Sequence, residues 1–174
     1  MSTHLKRKKF NPYHRVTEGG ASPRRPEDAF QSEDDLGKPE GRTRRCKENI
    51  MLNDKFAKHM GMQIVEVGKG YAKTKLTIRP EFLNGMDIAH GGVIFSLADY
   101  TFALAANTPE ESGLAINLSI HFIKSAAVKE EIFAQVREIS RSRKLGTYQG
   151  LVTRQDGTIL AQFQAMAYLK KAQE

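Results

Sequence analysis

The feature that most constrains this chain is the run from Val93 to Asn107, which holds no glycine, proline, Lys, Arg or Glu. Its alanines, leucines and phenylalanines favour helix, and Thr108-Pro109 ends it. A surface helix carries a charged face, whereas one that is apolar on nearly all sides must be wrapped by other elements. Those elements are visible on both sides as period-two alternation. Before the run, Gln63 to Val67 and Tyr71 to Ile78 read as strands joined at Gly68-Lys69-Gly70, with Pro80 stopping the second. After it, Leu114 to Ile123, Glu131 to Ser140, Thr147 to Arg154 and Thr158 to Leu169 read as four more, and Gln155-Asp156-Gly157 forms a tight turn between the last two. A short helix over residues 53–59 precedes them, with Asn53 as its cap and Phe56 and Met60 on one face. Six strands and one buried helix predict an α+β fold in which an antiparallel sheet curls around a central helix.

The first quarter of the chain reads differently. Residues 1–49 hold 12 Lys or Arg against 8 Asp or Glu, a net +4 of the total +7, with four of the six prolines and only ten apolar residues. So little apolar surface cannot offset the entropy of ordering, which predicts a disordered basic tail over 1–48 and one domain over 49–174. Met51 stands where apolar patterning begins, so a start there is an alternative beginning for the same domain. The tail is a solvated segment by its mixed charge, and no helix-turn-helix is visible in it, so no nucleic-acid partner is expected. The single cysteine, Cys46, excludes an internal disulfide, and there is neither an 18-residue apolar run nor a secretory signal. A soluble, cytoplasmic protein without a membrane partner is the expectation.

The chemistry-bearing residues gather at the start of the helix. Asn84-Gly85-Met86-Asp87-Ile88-Ala89-His90-Gly91-Gly92 leads into it, and glycines at a helix start expose backbone N–H groups on the positive end of the dipole. Such groups bind an anion or a developing oxyanion, or else simply make a sharp turn. Asp99 shares a helical sector with Ser96, Tyr100 and Asn107, opposite Ile94, Leu97, Ala98, Phe102 and Leu104. A lone carboxylate in an apolar setting has a raised pKa, which suits a general base or a nucleophile. For His90, holding the glycine turn is favoured over proton transfer. The other histidines, His4, His14, His59 and His121, lack ligand spacing, so no metal site is expected, and phosphate-loop, dinucleotide and nucleophile-elbow motifs are absent. Arg141, Arg143 and Lys144 in a turn, with Lys124 near another strand's end, are either a solvated set or a clamp for ligand phosphates. Phe82, Leu83, Met86 and Tyr100 are equally core residues or the lining of a ligand pocket.

The spacing Asn84-Gly85-x5-Gly91-Gly92-x-x-Phe95-x-Leu97-Ala98-Asp99-x-x-Phe102-Ala103, with His90 before the glycine pair, resembles the hotdog-fold thioesterases of the PaaI type, the phenylacetic-acid-degradation group. Arg143 to Tyr148 and Ala161-Gln162-Phe163 extend the resemblance, which covers residue 51 onward. It implies a hotdog fold, with a sheet of five to six strands as the bun and the helix as the sausage, and an acyl-coenzyme A substrate. Carried over by position, Asp99 is the general base or nucleophile, Gly91 the backbone oxyanion donor, Asn84 a holder of the attacking water and His90 the residue flanking the donor. Gly92, Tyr100, Lys124, Arg143 and Lys144 are the expected substrate-binding residues. No cofactor is implied, coenzyme A being part of the substrate. A homodimer is, as a dimer of dimers making a homotetramer. Some relatives place a Ser or Thr where Ala115 stands, and relatives often show a Pro-Gly turn at Ser125-Ala126-Ala127. A non-catalytic acyl-CoA sensor and an acyl-thioester hydratase are the alternatives on the same fold.

Overall fold

The computed structural model describes residues 53–108 and 111–171, so the expected tail and the alternative start at Met51 lie outside the described residues. Helix α1 spans Lys55–Met60 and is capped by Asp54, whose carboxylate accepts the Ala57 N–H at 2.8 Å. The expected cap, Asn53, is one residue too early for that reach. Ala57 and Met60 form the buried face, while Phe56 points out at 56% exposure, against the expectation that it would share the buried side.

Strands β1 (Gln63–Gly68) and β2 (Tyr71–Thr77) make the first hairpin, with Gly70 at φ 69° supplying the left-handed turn residue. After a 3-10 turn at Pro80–Phe82 comes helix α2 (Gly91–Ala106), then β3 (Glu111–Phe122), β4 (Glu131–Arg141), β5 (Leu145–Arg154) and β6 (Ile159–Lys171). The six strands form one antiparallel sheet in the order β1-β2-β4-β5-β6-β3. The long connection through α2 therefore carries the chain across the sheet, and among the described residues β3 is an edge strand paired with β6 alone.

The largely apolar helix is wrapped as its composition requires. Leu97, Ala98, Phe102 and Leu104 are at most 1% exposed and join Ile132, Val136, Tyr148, Val152 and Phe163 in one core cluster. Each large apolar side chain so buried contributes about 1.5–3 kcal/mol. The Phe102 and Tyr148 rings meet edge-on at 5.1 Å, and the buried hydroxyls of Thr74 and Thr101 are satisfied by a mutual bond at 2.6 Å. The expected α+β hotdog arrangement, a six-stranded curled sheet around a helix, is the observed one. No helix of the described residues is long and apolar enough to cross a membrane.

Candidate active site

The loop before α2 is built from backbone. His90 N–H donates to the Phe82 carbonyl at 2.8 Å and Ala89 N–H to the Ala126 carbonyl at 2.8 Å, which pins the loop to its neighbours on both sides. Asn84 shapes its interior: the side-chain oxygen accepts the Met86 N–H at 2.9 Å and the Ile88 N–H at 3.4 Å. That turn consumes the carbonyl half of the amide and leaves the NH2 half with no partner among the described residues. Ala126, in the turn expected to depart from the Pro-Gly pattern, is 1% exposed and packs into the core; Arg154 braces this turn by bonding Glu130 at 3.0 Å and the Ser125 carbonyl at 2.7 Å.

His90 is the N-cap of α2, and its Nδ1 accepts the Gly92 N–H at 2.9 Å. Val93 N–H returns to the His90 carbonyl at 2.9 Å. Of the first three N–H groups of the helix, only that of Gly91 has no acceptor among the described residues, and it stands at the positive end of the dipole. The space beside it is narrow, since a Cβ on Gly91 would sit 3.2 Å from the Phe122 ring. Gly92, expected to touch substrate, has its N–H committed to His90.

Asp99 lies on the one face of α2 that the strands leave open, together with Gly92 and Phe95. This stripe is rotated from the expected sector: Tyr100 and Asn107 are buried, 8% and 4% exposed, and belong to the core and to the helix end. Asp99 is exposed as a residue, yet partial burial of its carboxyl raises its pKa above the ordinary carboxylate value, with the charge of Asp54 adding to the rise. Asp54 is the neighbour that sequence reasoning missed, because the cap of α1 was expected one residue earlier, and only the fold brings its charge near enough to act on Asp99. Met86 is 74% exposed on the loop, whereas Phe82 is buried in the core.

The basic residues divide. Lys124 lies just beyond the β3 end that neighbours Gly91, while Arg143 and Lys144 line a cavity with Ser112 at the strand's start. Arg141 is spent on Glu111 and Glu138. Among the described residues no group of three or more His, Cys, Asp or Glu is placed to hold a metal ion.

A six-stranded antiparallel sheet curled around one buried helix is the hotdog arrangement. The comparisons agree. Residues 86–161 match the family model described as Thioesterase superfamily. A protein of Archaeoglobus fulgidus named as a candidate esterase is 39% identical over 60% of this chain and 68% of its own length. The acyl-coenzyme A thioesterase PaaI of Escherichia coli K12 is 28% identical over 67% of this chain and 83% of its own. The solved structure of the E. coli PaaI protein from the phenylacetic acid degradation operon superposes with a TM-score of 0.65, covering 67% of this chain and 85% of that one. The chain belongs to the thioesterase superfamily.

Proposed function

We propose that this protein hydrolyses acyl-coenzyme A thioesters to the free acid and coenzyme A. The observation that carries the reading is the open Gly91 N–H at the capped start of α2, on a helix whose one carboxylate has a raised pKa. The thioester oxygen sits at that N–H, where negative charge develops as the carbonyl carbon is attacked. Water, held by the free NH2 of Asn84, gives its proton to the Asp99 carboxylate as its oxygen bonds the carbon. The tetrahedral intermediate then collapses, the C–S bond breaks, and the thiolate takes the proton back from Asp99. Direct attack by Asp99, through an anhydride that water then opens, uses the same groups. His90 acts as a positioning residue, and the chemistry needs no cofactor, since coenzyme A arrives with the substrate. A cytoplasmic setting belongs to the same proposal, supported by the single cysteine.

One helix does not serve both sides of one carbonyl. Gly91 and Asp99 are eight residues apart, about 12 Å at about 1.5 Å per residue, whereas both groups must come within about 3 Å of the reacting atoms. The working unit is therefore a two-fold dimer in which Gly91 and Asn84 come from one chain and Asp99 from the other. The edge strand β3 supports this: Leu114, Ile116 and Phe122 are 69, 53 and 53% exposed on a strand with one side unpaired. Pairing of such dimers into a tetramer, and aryl-acyl substrates of phenylacetic acid degradation, are the finer parts of the proposal; the identity to PaaI supports them.

Release of free thiol from a panel of aryl and aliphatic acyl-CoAs tests the activity, and no release from any of them would sink it. For the shared site, an Asn84→Ala chain is refolded with an Asp99→Asn chain. Mixed dimers hold one intact and one doubly damaged site, so random pairing returns about a quarter of wild-type activity. No recovery, with mixed dimers confirmed by mass, places all groups of a site on one chain.

A further inference from the structure

Gly91 is a glycine for want of space rather than for its backbone. Among the described residues the glycines with a positive φ are Gly61, Gly70 and Gly157, and Gly91 has no such strain to relieve. What stands where its side chain would go is the ring of Phe122. A Cβ on Gly91 would lie 3.2 Å from the ring Cζ and 3.5 and 3.6 Å from the two Cε atoms, so the ring meets the helix start with its far edge. Gly92 carries no side chain either, so the first two residues of α2 leave that ring uncovered.

The sheet holds the ring in place. Leu118 and Ile120 pack against the core, and the strand period of two sets Phe122 on the same inner face. Phe122 pairs with Ala161 on β6, and the N–H groups of Ile123 and Lys124 both donate to the Leu160 carbonyl, at 2.8 and 3.1 Å, which clamps the strand end. Yet Phe122 remains 53% exposed, whereas Phe102 and Phe163 in the core are at most 1% exposed. One turn along α2 from Gly91, Phe95 is a second partly bare ring. A clamped side chain on the inner face, half bare and seated beside the open Gly91 N–H, is placed as the wall of a site rather than as core.

We propose that Phe122 is a specificity-determining residue, limiting the bulk that a substrate can carry on the carbon next to the carbonyl bound at Gly91. The proposal rests on the acyl-CoA reading above. An oxygen accepting the Gly91 N–H lies about 2.9 Å from its nitrogen, which brings the carbonyl carbon and the carbon beyond it close to a ring edge already seated against Gly91. A straight chain passes such an edge, while a fully substituted carbon collides with it. Hydrocarbon walls discriminate by fit alone, and one methylene too many is worth roughly 10–200-fold. Two added methyl groups on that carbon are therefore enough for rejection.

The test compares kcat/KM for an unbranched substrate, hexanoyl-CoA or phenylacetyl-CoA, with that for its α,α-dimethyl analogue, in the full wild-type chain and in Phe122→Ala. The lower intrinsic reactivity of the branched thioester cancels when the ratio of the two is compared between proteins. The ratio of branched to unbranched should rise about tenfold in Phe122→Ala and by less in Phe122→Leu, with the melting temperature confirming each fold. An unchanged or lowered ratio overturns the proposal, and Phe122→Leu decides alone if Phe122→Ala does not fold. If the wild type hydrolyses neither unbranched substrate, the activity reading fails, and the wall is decided by binding. The Gly91 amide signal of isotope-labelled protein is then followed by nuclear magnetic resonance during titration with propanoate and with trimethylacetate. A signal that moves with propanoate alone in the wild type, and with both acids in the variant, supports the wall; any other pattern overturns it.

Discussion

The two ends of α2 are built to opposite rules. At the C-terminal end the Asn107 side chain ties the helix to the strand that follows. The Asn107 amide donates to the Ala103 and Gly113 carbonyls at 2.9 and 3.1 Å and accepts the Gly113 N–H at 3.1 Å, which locks the helix end onto β3. The backbones approach so closely that a Cβ on Gly113 would lie 2.7 Å from the Ala106 carbonyl oxygen. At the N-terminal end one side chain, His90, satisfies one N–H and leaves its neighbour open. A terminus tied by side-chain bonds holds the helix in place; a terminus with a donor left over has somewhere to put a ligand. Stability changes should therefore concentrate at the first end and catalytic changes at the second.

The strongest challenge to this division is Asp99→Asn. Loss of a positioned base costs about 10²–10⁴ in rate, so kcat should fall by roughly a thousandfold with the melting temperature maintained or raised. A fall of less than tenfold would remove Asp99 from the chemistry. In the wild type the raised pKa places the acid limb of the rate profile above the ordinary carboxylate range: activity is lost as pH drops through that pKa, because the base is then protonated. An acid limb at the usual value for a free aspartate would contradict the desolvation.

At the other end, Asn107→Ala strands buried N–H and C=O groups and should cost about 1–3 kcal/mol in denaturant unfolding, with kcat of the folded enzyme unchanged. Gly113→Ala should act in the same direction, by about 1–3 kcal/mol, through overpacking against Ala106. If either variant lowers kcat as much as stability, the two ends are coupled and the contrast fails. His90→Ala removes a helix cap, about 1 kcal/mol, and frees the Gly92 N–H to compete with that of Gly91. Activity should drop with an unaltered pH profile and return in large part with His90→Asn, which caps equally well; an altered profile would mean that the imidazole itself transfers protons.

The smallest effect separates charge from packing at Asp99. A group whose folded pKa lies above its unfolded value favours the folded state while protonated, and that advantage is lost as pH rises through the folded pKa. Asp99→Asn, neutral at every pH, should therefore raise the melting temperature slightly near pH 7, and this gain should vanish below the pKa of an unfolded aspartate. A gain that persists in acid would trace to packing instead.

Much of this was legible in the chain because period and composition are local signals. The absence of Lys, Arg and Glu over Val93 to Asn107 announced a wrapped helix, and glycines after His90 announced its exposed start. What sequence could not supply depends on which strands sit where. An even projection of the helix grouped Tyr100 and Asn107 with Asp99, but the curl of the sheet covers those two and leaves the narrower stripe of Gly92, Phe95 and Asp99. Lys124 was grouped with Arg143 and Lys144 by charge alone, and the length of β3 separates them. Asp54 reaches the neighbourhood of Asp99 only through the packing of α1, for which no local pattern exists.

The strand order also sets a schedule for folding. Helix α2 is complete at Ala106, yet the residues that cover it on β4, β5 and β6 follow over the next sixty positions, and β3 waits for a partner that ends at Lys171. A nascent chain therefore leaves the ribosome with its most apolar segment covered mainly by β2 until the later strands emerge. Closing Glu111 onto Lys171 is a long-range step, of the kind that slows folding and exposes intermediates to aggregation. Loss of the last strand would leave both β3 and β5 with open edges at once, so a chain truncated before Ile159 should accumulate as an insoluble species rather than as a smaller domain.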